Sequence, residues 1–264
     1  MPGVADAAGT DARMWARFFD IFEAMPRGGP GDAESARRAL GLMKSLPARP
    51  RVLDLGCGPG RGSTVLAALT GGRVVALDLH LPFVAGQSAE ARRARPAARV
   101  LPVCADMGAA PFADASFDLV WSEGALYSIG FRNGLDACRR LVKPGGYVAV
   151  SEAAWIVPDP PDEIRCWWTA EYPDMGSVEE KTAAVASAGF DILGHFTLPP
   201  LAWRDHYYVP LRARVEERCQ AWAADEVGSG VIAQLETEIA IYERWGHTYS
   251  YEFFVARLAA PAAS

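Results

Sequence analysis

Two carboxylates and a run of glycines have the types and spacing in this chain best suited to chemistry. Asp54-Leu55-Gly56-Cys57-Gly58-Pro59-Gly60 reads D-x-G-x-G-x-G directly after the apolar residues Val52 and Leu53. Glycines at Gly56, Gly58 and Gly60 allow a sharp turn and let the backbone approach a ligand with no Cβ in the way. A helix beginning near Arg61 would point free N–H groups and a positive dipole end at that ligand. The dinucleotide fingerprint G-x-G-x-x-G fails, because Arg61 stands where its third glycine belongs. No Gly-Lys-Ser/Thr follows, which excludes a Walker-type phosphate loop. An acid two places before the first glycine suits a ligand with an ammonium group better than a pyrophosphate. Asp78 follows 24 positions later and could accept both hydroxyls of a ribose. Cys57 sits inside the loop and reads as a small filler, with only the helix start to lower its pKa.

Further polar candidates recur downstream. Cys104-Ala105-Asp106-Met107 offers an acid that either meets a ligand or caps a helix. Trp121-Ser122-Glu123-Gly124-Ala125-Leu126-Tyr127 supplies Glu123, a candidate base or anion whose other reading is a carboxylate bound to an ammonium or a backbone turn. Tyr127 is a candidate aromatic wall. Glu152 and Trp155 would flank the same cleft. Trp203-Arg204-Asp205-His206-Tyr207-Tyr208 is the densest polar and aromatic cluster. There His206 serves either as a base or as a backbone-bonded joint, and the rings could hold a cationic or planar group.

These residues need a scaffold that brings loop ends together, and the hydrophobic pattern supplies one. Strands are expected at 51–55, 73–78, 99–103, 117–122 and 147–151, with helices at 61–70, 82–94 and 133–142 between them. Such alternation means a parallel sheet covered on both faces, with ligands at the carboxyl ends of the strands. Every candidate above lies at such an end. Upstream, helices are expected over 11–25 and 33–46, the second capped by Asp32. The stripe Trp15, Phe18, Phe19 and Phe22 is read as core. Downstream, Ser177 and Glu180 form a capping box for helix 178–188, strands follow at 190–198 and 249–258, and a mostly helical stretch separates them.

Composition narrows the partners. The net charge is −6 with no run of like charges, which disfavours nucleic acid. Five scattered cysteines form no metal or disulfide pattern, and no metal is expected. There is no signal-peptide pattern and no apolar run of membrane-spanning length, so a cytoplasmic monomer or homodimer without membrane contact is expected.

The glycine loop, Asp78, Asp106-Met107, the fourth-strand end and Leu141-Val142-Lys143-Pro144-Gly145-Gly146 resemble class I S-adenosylmethionine-dependent methyltransferases. Gly29-Pro30-Gly31, Trp121 to Ala125, Gly130-Phe131, Ser151-Glu152 and Trp203 to Tyr207 extend the likeness to a branch of bacterial small-molecule methyltransferases. The resemblance implies a Rossmann-like α/β fold, a mainly parallel seven-stranded sheet with the last strand antiparallel. It implies a helical segment over 1–50 whose first ten residues are flexible, a cofactor-binding core over 51–198 and 247–258, and a helical lid over 199–246. It implies S-adenosylmethionine as cofactor, S-adenosylhomocysteine as product and a small-molecule acceptor. Asp54, Gly56, Cys57, Gly58, Gly60, Asp78, Leu79, Asp106, Met107, Ser122 and Glu123 would then meet the cofactor, Asp106 at the adenine amino group. Tyr127, Glu152, Trp155, Trp203, His206 and Tyr207 would shape the acceptor pocket, with Glu123 and His206 as catalytic candidates. The rivals are a non-catalytic binder of S-adenosylmethionine, a nicotinamide-dependent oxidoreductase and a nucleic-acid methyltransferase.

Overall fold

A computed structural model describes residues 12–93 and 99–259. The residues expected to be flexible at the start, Asp11 of the first expected helix and Ala94 of helix 82–94 lie outside these. Helices α1 (Ala12–Glu23) and α2 (Ala33–Gly41) precede the alternating core. Asp32 caps α2 as expected, its carboxylate accepting from the Ser35 N–H at 2.7 Å. The helix ends well before residue 46: beyond Gly41, the Leu42 N–H already bonds back to Ala39 and Leu40.

The core runs β1 (Arg51–Leu55), α3 (Arg61–Thr70), β2 (Arg73–Asp78), α4 (Leu81–Arg93), β3 (Val100–Cys104), β4 (Phe117–Glu123), α5 (Phe131–Leu141) and β5 (Val142–Trp155). Then come α6 (Asp162–Glu171), β6 (Gly176–Ser177), α7 (Val178–Ser187) and β7 (Phe190–Thr197). The sheet order is β3-β2-β1-β4-β5-β8-β7, where β8 is Tyr249–Leu258. Strands β1 to β5 are parallel, and β8 is antiparallel to both β5 and β7. The seven-stranded expectation holds along this path, with the two-residue β6 added beside β5.

Strand β5 is far longer than 147–151. Val142 already pairs with Phe117 upstream of a register irregularity, and β8 pairs with β5 from Tyr147 to Trp155. A turn signal at Lys143-Pro144-Gly145-Gly146 is absorbed inside the strand, with Gly145 at φ +75°. Between β7 and β8 the chain is helical from Pro200. The segments are α8 (Pro200–Trp203), a π-helical turn over Arg204–Tyr208, α9 (Val209–Ala221) and α10 (Glu226–Trp245).

Two apolar layers cover the sheet. One joins α1 and the 199–246 insertion to residues such as Trp121, Ala149 and Phe253, and the other joins α5 and α7 to Val120, Val150 and Phe254. Phe253 is fully buried, stacked on Phe196 at 5.4 Å and edge-on to Trp121 at 5.1 Å. Truncation there removes contacts on both sides and leaves a void that the flanking strands cannot collapse. Phe253→Ala is therefore expected to cost about 3–5 kcal/mol, read from urea denaturation midpoints.

Candidate functional site

The carboxyl ends of β1, β2 and β4 meet at a cavity of about 560 Å³. Its floor is the loop between β1 and α3. Gly56, Gly58 and Gly60 have φ of +71°, +55° and +95°, the left-handed region that glycine enters without strain. A Cβ on Gly56 would stand 2.4 Å from the Ala125 side chain, and one on Gly60 2.1 Å from Gln87. Asp78 holds this floor in place by accepting from the Gly58 N–H at 2.8 Å and the His80 N–H at 2.9 Å. Each oxygen keeps a free lone pair for a ligand hydroxyl. Burial pushes the Asp78 pKa up, opposed by those two backbone donors.

Asp54 lines the cavity and accepts from Ser63 Oγ at 2.6 Å. Burial raises its pKa to about 7, with the Ser63 bond pulling the other way and Glu123 adding to the rise. Asp106 lines the cavity and also caps the short 3₁₀ turn after β3, accepting from the Gly108 N–H at 2.8 Å. Met107, Cys57, Gly58, Gly60, Leu79, Glu123 and Tyr127 complete the predicted residues on its wall. Cys57 is held by burial well above the usual thiol range and receives the Gln87 amide, as an inert filler would.

Other candidates are placed elsewhere. Ser122 is fully buried and donates to the Leu55 carbonyl at 2.9 Å, tying β4 to β1 instead of facing the cavity. His206 Nδ1 lies 3.2 Å from the Gly31 carbonyl oxygen and lines neither this cavity nor a second, small one. Glu152 and Trp155 also line neither. Glu152 is buried with Oε2 unpartnered, and burial lifts its pKa to about 7 against the pull of Lys181. Trp203 and Tyr207 belong to the second cavity. The 199–246 insertion contributes no lining residue to the main cavity, and its Trp203, Tyr207, Tyr208 and Glu238 line the second one.

The cover is α1. Trp15, Phe18, Phe19 and Phe22 all line the cavity, while Phe22 also belongs to the buried core and Phe18 and Phe19 pack against it, so the stripe read as core serves both. Phe19 stacks on His80 at 3.8 Å, directly beside Asp78. Aromatic spacing alone could not separate a ligand-facing stripe from a core one.

Two residues went unnoticed. Arg27 Nη1 pairs with Glu123 Oε2 at 3.0 Å, with both side chains nearly buried, while Trp121 Nε1 donates to Glu123 Oε1 at 2.9 Å. Arg27 Nη2 is buried without a partner. Gln87 donates to the Gly58 carbonyl at 2.8 Å. Only the neighbouring Gly28-Gly29-Pro30-Gly31 hinted that Arg27 lies on a tight loop.

Among the described residues no group of three or more His, Cys, Asp or Glu is arranged to hold a metal ion. No helix among them is long and apolar enough to cross a membrane. An aspartate that keeps its proton when folded and gives it up when unfolded makes stability fall as pH rises from the ordinary carboxylate range toward about 7. Asp54→Asn removes that slope. Between about pH 5 and 7 the variant should lose about 2 kcal/mol less than wild type in urea denaturation.

Residues 53–150 match the family model described as a methyltransferase domain. Malonyl-[acyl-carrier protein] O-methyltransferase of Enterobacter lignolyticus is 38% identical over 171 residues, covering 63% of this chain and 64% of that protein. The chain thus spans just under two thirds of that relative's length. An S-adenosylmethionine-dependent methyltransferase from Thiobacillus denitrificans, solved with S-adenosyl-L-homocysteine, aligns with a TM-score of 0.77 at 24% identity over 91% of this chain and 97% of the other. The [4+2]-cyclase SpnF aligns with a TM-score of 0.72 at 21% identity over 94% of each chain. One fold therefore hosts more than one reaction, and function has to be argued from the site.

Proposed function

We propose that this chain, whose residues 53–150 match the model of a methyltransferase domain, transfers a methyl group from S-adenosylmethionine to a small-molecule acceptor. The observation that carries the reading is the convergence, on one cavity, of a side-chain-free glycine floor with Asp54, Asp78, Asp106 and the orphaned donor of Arg27. These groups match a zwitterionic amino acid joined to a nucleoside. Asp54 suits the ammonium, Arg27 Nη2 the carboxylate, Asp78 the ribose hydroxyls, and Asp106 with Met107 the adenine. The cofactor supplies a sulfonium methyl that is already electrophilic, so in-line placement of the acceptor is the protein's main task.

Glu123 is engaged by Arg27 and Trp121, and it serves as a fixed anion that aims Arg27. The α1 stripe and Tyr127 supply apolar walls that exclude water from the site. The same reading puts the protein in the cytoplasm, as a monomer or homodimer, without nucleic acid or membrane as partner. The acidic balance supports the exclusion of nucleic acid.

Calorimetry tests the assignment. S-adenosylhomocysteine should bind at micromolar level, and Asp78→Ala should weaken it at least about tenfold. Retention of a nicotinamide cofactor with no response to S-adenosylhomocysteine would overturn the reading. Arg27→Met should weaken S-adenosylhomocysteine about tenfold yet leave 5′-methylthioadenosine, which lacks the amino acid, unchanged. Because Asp54 must be ionised to pair with the ammonium, affinity should rise with pH between about 6 and 8.

A further inference from the structure

A cofactor bound as above would take up the charged groups of the main cavity, leaving a wall of rings and hydrocarbon. Glu123 is held by Arg27 and Trp121, Asp54 by Ser63, and His80 Nε2 by Glu23 at 2.8 Å. Asp78 and Asp106 bond the backbone and, on that reading, the nucleoside. Arg61 is the remaining charged lining residue, and it stands exposed at the start of α3. A charged acceptor would enter without a counter-charge, and burying an unpaired charge is costly.

Trp15, Phe18, Phe19 and Phe22 recur at i, i+3, i+4 and i+7, so they share one face of α1 over about 10 Å of helix axis. Phe22 is buried core, Phe18 stacks on it at 4.5 Å, and Phe19 stacks on His80. Trp15 differs. It lines the cavity half-buried, yet it belongs to neither apolar layer of the sheet. Its ring meets Phe18 edge-on at 5.6 Å and Phe19 at 5.9 Å. The opposite face of α1 is tied to the insertion, Arg17 to Asp225 at 2.6 Å and Asp20 to Arg218, so the helix cannot roll to bury the indole. A ring held this way completes its burial only when a ligand covers it. At roughly 10–15 Å³ per water-sized position, the 560 Å³ cavity holds about forty such positions, which leaves room for a two-ring acceptor beside the cofactor.

We propose that the methyl acceptor is an uncharged, flat apolar molecule, an aromatic or polycyclic compound, whose ring lies on Trp15 and Phe18, and that Trp15 sets this preference. The proposal rests on the methyl-transfer reading above. Offset or edge-on ring pairs gain more than their buried area alone, which favours a flat acceptor over a saturated one of the same size.

The test uses the full chain saturated with S-adenosylhomocysteine and titrated by calorimetry with 2-naphthol, decahydro-2-naphthol, sarcosine and phosphoethanolamine. 2-Naphthol should bind saturably, one per chain, at millimolar level or tighter. Decahydro-2-naphthol should bind at least about threefold more weakly, and the two charged compounds should not bind. Trp15→Leu keeps an apolar helix former, and an unchanged urea midpoint shows that it folds. It should weaken 2-naphthol about tenfold and S-adenosylhomocysteine less than about threefold. No binding of 2-naphthol, equal binding of decahydro-2-naphthol or of a charged compound, or undiminished 2-naphthol affinity in Trp15→Leu would overturn the proposal. An equal loss of both ligands in that variant would make Trp15 part of the general cover and overturn its role in specificity. If 2-naphthol binds as described but S-adenosylhomocysteine never does, the cofactor reading fails and the aromatic site stands.

Discussion

The backbone from Gly56 to Gly60 can follow its path only because no side chain stands on it. Its left-handed turns bring the chain against Ala125 on one side and Gln87 on the other, closer than any Cβ would allow. Such a loop gains nothing from side-chain packing, so its position has to be set by hydrogen bonds. Asp78 takes the Gly58 N–H, Gln87 gives to the Gly58 carbonyl, and Ser63 fixes Asp54 just before the turn. The acids best placed to meet a ligand are thus also the ones that shape the floor beneath it.

The second constraint is electrostatic. Burying Asp54, Glu123 and Arg27 together costs desolvation that a single ion pair seldom repays in full. Here Arg27 bonds Glu123 and only pulls on Asp54 from a distance, and burial makes Asp54 hold its proton up to about 7. A ligand carrying both an ammonium and a carboxylate would complete this set of charges. The same cluster fastens the loop after α1 to the end of β4, which holds the aromatic cover against the cavity.

Much of this was legible in the sequence because it is local. Alternating strands and helices announce themselves by periodicity, and Asp54, Asp78 and Asp106 lie at or just past the ends of strands that can be counted. Asp32 and Ser177 cap helices through bonds spanning three residues. What stayed hidden depends on distant partners. Arg27 meets Glu123 from 96 positions away, and Gln87 reaches Gly58 from 29. The full length of β5 is set by its pairing with β8, which no local pattern encodes. The α1 stripe reaches the cavity as well as the core, because an amphipathic helix advertises an apolar face without naming what it faces.

Strand β8 lies between β5 and β7, although it is made after both. During synthesis on the ribosome, the long edge of β5 therefore has no neighbour until residues 249–258 emerge. Meanwhile it presents a row of unpaired backbone groups flanked by apolar side chains, the kind of edge that recruits foreign strands. The first five strands can assemble as they appear, each beside one already present. The sheet is sealed only once β8 has emerged, by a single strand entering a waiting slot. Slow decoding ahead of that strand would lengthen the exposed interval, so nascent-chain chaperones have most to do for this sheet before residues 249–258 emerge.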